Sequence, residues 1–183
     1  MATRVTRSIF ASSVTIVCSD PQTNTYTTTT NLVAGSSLAN GYACNAPNIT
    51  GGTTPTITVT FSGNTSSGTV TIAEFSNVAH TSPQDVADTS ANITPTTTAW
   101  SGTAITTATS GDLVVSYAGS GSLTATCTAG GSSTIPANGQ INGSGNLGCF
   151  EYRVVSSATA YTDSFTMSST GTGVFLTSAF KHL

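Results

Sequence analysis

Branched and aromatic side chains recur at every second position along much of the chain, the spacing by which one face of a strand packs on a core while the other meets water. Val14, Ile16 and Cys18 alternate with Ser13, Thr15 and Val17, and Ile57, Val59 and Phe61 alternate with Thr56, Thr58 and Thr60. Strand-like runs also cover 25–30, 70–75, 103–109, 113–117, 150–155, 162–167 and 173–180. Helical periodicity is nowhere sustained. The pattern predicts an all-β fold of about nine to eleven short strands, a two-sheet β-sandwich of jelly-roll or Greek-key type.

Turn formers divide the runs. Asp20, Pro21 and Asn24 give a strand, turn, strand reading on either side of them. The Ser-Gly-Asn-Thr-Ser-Ser-Gly stretch at 62–68 and the Ser110, Gly111, Asp112 stretch read as hairpin connections. Residues 80–98 are poor in apolar side chains and hold Pro83, Asp85, Asp88, Asn92 and Pro95, so they read as a long surface loop or Greek-key crossover. Residues 130–148, rich in Gly, Ser and Asn, read as a second long excursion. At the start, Arg4 and Arg7 precede Ile9, Phe10, Val14 and Ile16 in the manner of a signal peptide. Ser12, Ser13 and Thr15 interrupt the apolar segment and no small-residue cleavage site follows, which favours a strand.

A length of 183 residues fits one domain, 1–183, with a core of its own. Thr and Ser make up about a third of the chain, and the β-branched Thr suits a pleated, half-exposed surface. Only four basic and seven acidic side chains are present, and Arg4, Arg7, Arg153 and Lys181 are too few and too scattered to line a phosphate-binding groove. Nucleic acid is therefore not an expected partner. With 37% apolar residues at a net charge of −3, the composition is not that of a disordered chain. No apolar run approaches the ~20 residues that span a bilayer, so membrane insertion is not expected.

Cys18, Cys44, Cys127 and Cys149 are even in number, widely spaced and free of any C-x-x-C. That arrangement favours disulfides over zinc, and with them an oxidising compartment, extracellular or at the cell surface. Of the three possible connectivities, Cys18 with Cys44 and Cys127 with Cys149 is expected, since each pair flanks a local excursion.

Candidate chemistry is sparse. His80 and His182 are the two histidines, too few for a multi-histidine metal site, and no cofactor is implied. Ser76, His80 and Asp85 lack a G-x-S-x-G elbow, and Ser178 to Lys181 matches S-x-x-K where a strand rather than a helix is expected. The chain reads as no enzyme. Asp85 and Asp88, with loop carbonyls, are weak calcium candidates. Asp20 and Asp112 are expected to bond backbone amides in their own turns. Glu74 shares parity with Val70 and Ile72 and is expected to point inward and fasten a loop, whereas Glu151 and Arg153 are expected on a solvent face. Trp100, Tyr26, Tyr42, Tyr117, Tyr152 and Tyr161 are the side chains able to stack on a pyranose ring, with Trp100, Tyr117 and Tyr152 as the ligand-binding candidates.

Five segments taken in order, SDPQTNTYT at 19–27, NITGGTTPTITVTFSG at 48–63, IAEFSNVAHTSPQDV at 72–86, TTATSGDLVVSYAG at 106–119 and AFK at 179–181, together resemble a β-sandwich module of large secreted proteins of soil and environmental bacteria. The resemblance implies a lectin-like sandwich in an extracellular, often multi-module protein and transfers no enzyme activity. Such modules open with one or two further strands before the SDPQTNTYT segment, and the residues before it here do not match that pattern. Either Met1 is an internal start, or residues 2–17 take their place, or a neighbouring subunit supplies a strand, because an open groove between strands invites another chain to pair there. The function expected is a structural or adhesive module that associates with other copies of itself or with other modules of a larger surface protein, with strand exchange into a filament or surface layer as one form of that association. The alternative is a carbohydrate-binding module using Trp100 and loop tyrosines, with glycan as the partner.

Overall fold

In a computed structural model, described for all residues except 1, 11–13, 34–39, 52–55, 65–67, 94–95, 122 and 144, the described residues form sixteen strands in five sheets and no helix. Two sheets make the centre. The first has the order β3 (Thr27–Val33), β4 (Asn40–Ile49), β1 (Ala2–Phe10), β6 (Gly68–Ser76). The second has the order β12 (Gln140–Gly143), β13 (Asn146–Val154), β10 (Leu113–Ser120), β16 (Gly173–Phe180), β7 (Gln84–Ile93). Their facing sides bury Val5, Val115, Tyr117, Phe150, Leu176 and Phe180 in one core. The sheets approach so closely at Gly41 that a Cβ there would lie 2.5 Å from a Leu176 methyl carbon.

The period-two pattern has a second consequence, because the outer face of each main sheet is also covered. On the first sheet lies a ribbon of β2 (Ile16–Ser19) and β5 (Thr58–Phe61), whose Ile16, Cys18, Val59 and Phe61 pack on Tyr42 and Cys44. On the second lie a three-stranded sheet, β11 (Cys127–Ala129), β15 (Ser164–Met167) and β8 (Ala99–Ser101), and a pair, β9 (Ile105–Thr106) with β14 (Ala160–Tyr161). Trp100, Phe165 and Met167 pack there on Ala118, Cys149 and Phe175, and Ile105 packs with Val114 and Ala179. Every residue of β10 and β16 is consequently buried.

The disulfides are Cys18–Cys44 and Cys127–Cys149, the expected pairs. Each ties an outer layer to the main sheet beneath it, β2 to β4 and β11 to β13.

Several expectations require correction. The all-β sandwich is present, but the covering layers raise the strand number above nine to eleven. Residues 80–98 are not one loop: β7 runs through them as an edge strand on β16, and half-burial explains its polar sequence. Residues 130–148 contain β12 and the start of β13, which pair with each other, and Gly145 just before β13 takes φ +78°. The strand, turn, strand order across 20–24 is present, with the Thr23 amide donating to the Asp20 carbonyl at 3.2 Å, whereas the expected hairpins across 62–68 and 110–112 do not form, since β5 and β6, and β9 and β10, part into different sheets; residues 65–67 lie outside the described residues. Among the described residues only β3–β4 and β12–β13 pair as sequence neighbours. Residues 2–10 form β1, which pairs with β4 on one side and β6 on the other.

Candidate functional site

A cleft opens beside the end of β6 and the start of β10. Phe75 near the end of β6, Leu113 at the start of β10, Tyr152 and Val154 on β13, Val78 and His182 surround this open cleft of about 370 Å³. Phe75 meets Tyr152 edge to face with ring centroids 5.2 Å apart. Such a pair presents an apolar wall with a hydroxyl at its rim. Ser76, Asn77 and the His182 imidazole add polar groups. Asn77 has φ +59°, a left-handed conformation that Asn tolerates, and it turns the chain out of β6; its carbonyl accepts the Leu183 N–H at 3.0 Å.

Of the three aromatic ligand candidates, the fold brings only Tyr152 to this cleft. Trp100 is 0% exposed beneath β8, and its ring lies against Gly173, where a Cβ would come within 2.5 Å of it. Tyr117 is equally buried between the main sheets, hydrogen-bonded to Thr69 Oγ1 at 2.6 Å, and burial pushes its pKa up to about 12. Neither ring offers a face to a sugar, so these two assignments are corrected: aromatic side chains in a thin layered fold fill the gaps between sheets. Tyr42 is buried under the β2–β5 ribbon.

Asp85 and Asp88 do not converge on a cation. Asp85 Oδ2 accepts the Ala108 amide at 2.8 Å, whereas Asp88 Oδ2 accepts from Asn45 at 3.4 Å and from Gln84 at 3.3 Å. Among the described residues no group of three or more His, Cys, Asp or Glu is placed to hold a metal. Ser178 is buried, so the S-x-x-K match presents no accessible hydroxyl. Asp20 and Asp112 do bond turn amides as expected, from Asn24 at 3.1 Å and from Thr109 at 3.3 Å.

Two clusters of charge flank the main sheets, both buried except for the partly exposed Glu74 side chain of the first. Under the β2–β5 side, Arg4 on β1 donates to Glu74 Oε1 from Nε at 2.7 Å and from Nη2 at 2.5 Å. Its Nη1 donates to Asp20 Oδ2 and to the Tyr26 hydroxyl, each at 2.7 Å. Burial alone would raise the Asp20 pKa, but hydrogen bonds from Asn24 and Tyr26 and the Arg4 charge bring it down to about 2. Glu74 thus shares a face with Val70 and Ile72, as expected from parity, and that face is the outer one.

On the outer side of the second sheet lie Glu151, Arg153 and Asp163. Glu151 and Arg153 were expected in solvent, yet Glu151 is 0% exposed and the Arg153 side chain 15%. The outer sheets cover this face, while Val154, of the opposite parity, is 63% exposed. Arg153 Nη2 pairs with Asp163 Oδ1 at 2.5 Å, and its guanidinium stacks over the Tyr161 ring at 4.6 Å. Desolvation pushes the Glu151 pKa up to about 8, and the Asp163 charge adds to it. An acid and a base two positions apart in the otherwise apolar run from Leu147 to Val155 are the signal that could have revealed this cluster.

Comparison of the chain with family models, with curated proteins and with solved structures returned no match. Two disulfides with no free cysteine fit an oxidising, extracellular-type environment, and no helix among the described residues is long and apolar enough to cross a membrane.

Proposed function

We propose that this chain is a non-enzymatic extracellular structural or adhesive module, acting through its surfaces against other copies of itself or other modules of a larger surface protein. The observation that carries the reading is the cross-linking of each outer layer to its main sheet by a disulfide. A layer so tied cannot peel from the sheet under load or protease attack, which suits a building block exposed outside the cell. Self-assembly by strand exchange would have β1 leave its place between β4 and β6 and be replaced by β1 of the next copy, restoring the same backbone hydrogen bonds across the joint. Size-exclusion chromatography and electron microscopy of the oxidised protein test this version. Concentration-dependent oligomers or filaments are expected, and a monomer at every concentration removes strand exchange.

The cleft beside Tyr152 favours a second reading, a saccharide site. Its volume falls within the ~300–1,000 Å³ of small-molecule pockets, and it joins an aromatic wall to a few polar groups. A glycan array tests it: binding that Tyr152→Ala abolishes supports the site, and a uniformly negative array removes it.

A further inference from the structure

Glu151 on β13 lies opposite Ser116 on β10, which lies opposite Thr177 on β16. These three side chains form a polar row across the outer face of the second sheet, each at most 1% exposed. The row is sealed from above by the segment around Asp163. Asp163 Oδ2 accepts the Ser116 hydroxyl at 2.7 Å, and its backbone carbonyl accepts the Gly102 amide at 3.0 Å. Both carboxyl oxygens of Glu151 are buried with no hydrogen-bond partner.

The charge in this space does not balance if both acids ionise. Arg153 is the one cation among the described residues facing the pair, and it is engaged by Asp163 on one side and by the Tyr161 ring on the other. β10, β16 and the turn after β11 bring Ser116, Thr177 and Gly130, none of which titrates. A second carboxylate in a dry space, whose nearest donor is the Gly130 amide already given to the Ser164 carbonyl at 2.7 Å, is an arrangement that burial penalises heavily.

We propose that Glu151 is a neutral carboxylic acid in the folded protein and that its ionisation loosens the outer three-stranded sheet from the second main sheet, making the pair with Asp163 a pH-sensitive latch. The upward pKa shift from burial and from Asp163 agrees with this, and the Gly130 amide and Arg153 offset it only in part. In the unfolded chain Glu151 titrates near 4.5, and in the folded chain near 8. Below the lower value both states are protonated and the group is neutral in its effect. Between the two values the folded state holds a proton that the unfolded state has lost, so stability falls as pH rises, by up to about tenfold in the unfolding constant per pH unit. Above the higher value the loss is complete.

The chain has two glutamates, Glu74 and Glu151, so glutamate-selective carboxyl ¹³C labelling gives two resonances, assigned with Glu74→Gln. The Glu151 resonance is expected to show a protonated carboxyl at pH 6 and to titrate in the alkaline range. In parallel, the unfolding constant of the wild type is expected to rise between pH 5 and 8 more steeply than that of Glu151→Gln, with hydrogen exchange of β15 accelerating beyond its intrinsic pH dependence. If Glu151→Gln does not fold, the wild-type resonance alone decides. A Glu151 carboxylate already ionised at pH 6, or identical pH slopes in wild type and Glu151→Gln, overturns the proposal.

Discussion

The β2–β5 ribbon lies on the first main sheet and is tied to it by Cys18–Cys44, while the β11–β15–β8 sheet lies on the second and is tied to it by Cys127–Cys149. The two halves share a plan and differ in how they settle buried charge. Around Arg4 each polar arm has a partner: Glu74, Asp20 and Tyr26 take the guanidinium, and Asn24 takes the remaining capacity of Asp20. Around Glu151 one cation serves two acids and a carboxyl group is left over. Burial by itself therefore does not decide what an ionisable group contributes. With partners supplied, it fixes a loop to a sheet; without them, it stores a titration.

Breaking the satisfied cluster is expected to have the largest effect. Arg4→Met leaves Asp20 buried beside no cation and should destabilise by about 3–5 kcal/mol in chemical denaturation at pH 7. Next, opening either disulfide as a paired Cys→Ala replacement should remove about 3 kcal/mol, and to a similar extent in both halves because the bridged separations, 26 and 22 residues, are alike. Limited proteolysis should then cut in the layer released, β2–β5 in one variant and β11 in the other.

These effects rest on features that differ in how far the sequence shows them. The alternation at Val14, Ile16 and Cys18 marks β2 with its inward side, and the cysteine spacing marks both bridges. Partner choice is invisible to it, because the same period fits any neighbouring strand; β5 and β6 follow one another in sequence yet pair with β2 and β1. Parity also misleads where both faces of a sheet are covered. Tyr152 and Val154 alternate with Glu151, and the polar member of the set is the one inside. In a chain this poor in charge, Thr and Ser lie in the interior as well as on the surface, so Thr6, Ser116 and Thr177 give no contrast for reading a face. Trp100 is legible in the sequence as an aromatic beside the stretch 80–98, and only the packing of its ring on Phe175 and Gly173 tells a core ring from a sugar platform.

A smaller effect sharpens the comparison through pH. The Asp20 pKa is lowered from 3.8 to about 2, so its stabilisation is complete above pH 4 and is lost as pH falls towards 2. The Glu151 pKa is raised, so its destabilisation grows from about pH 4.5 to about 8. A thermal-unfolding series should place maximum stability near pH 4–5, with the acid limb removed by Asp20→Asn. The smallest effect belongs to the cleft: Tyr152→Ala should cost about 1 kcal/mol or less in folding, as its ring is only half-buried. An intact fold there lets any loss of saccharide binding be read as a property of the site.

Peptide-resolved hydrogen exchange at pH 5 with both disulfides intact tests the layered architecture most directly. Burial on both faces predicts that Leu113–Ser120 and Gly173–Phe180 exchange slowest of all segments, well behind the edge strand Gln140–Gly143 and the ribbon strand Thr58–Phe61. Exchange in those two central strands as fast as at the edges would contradict it.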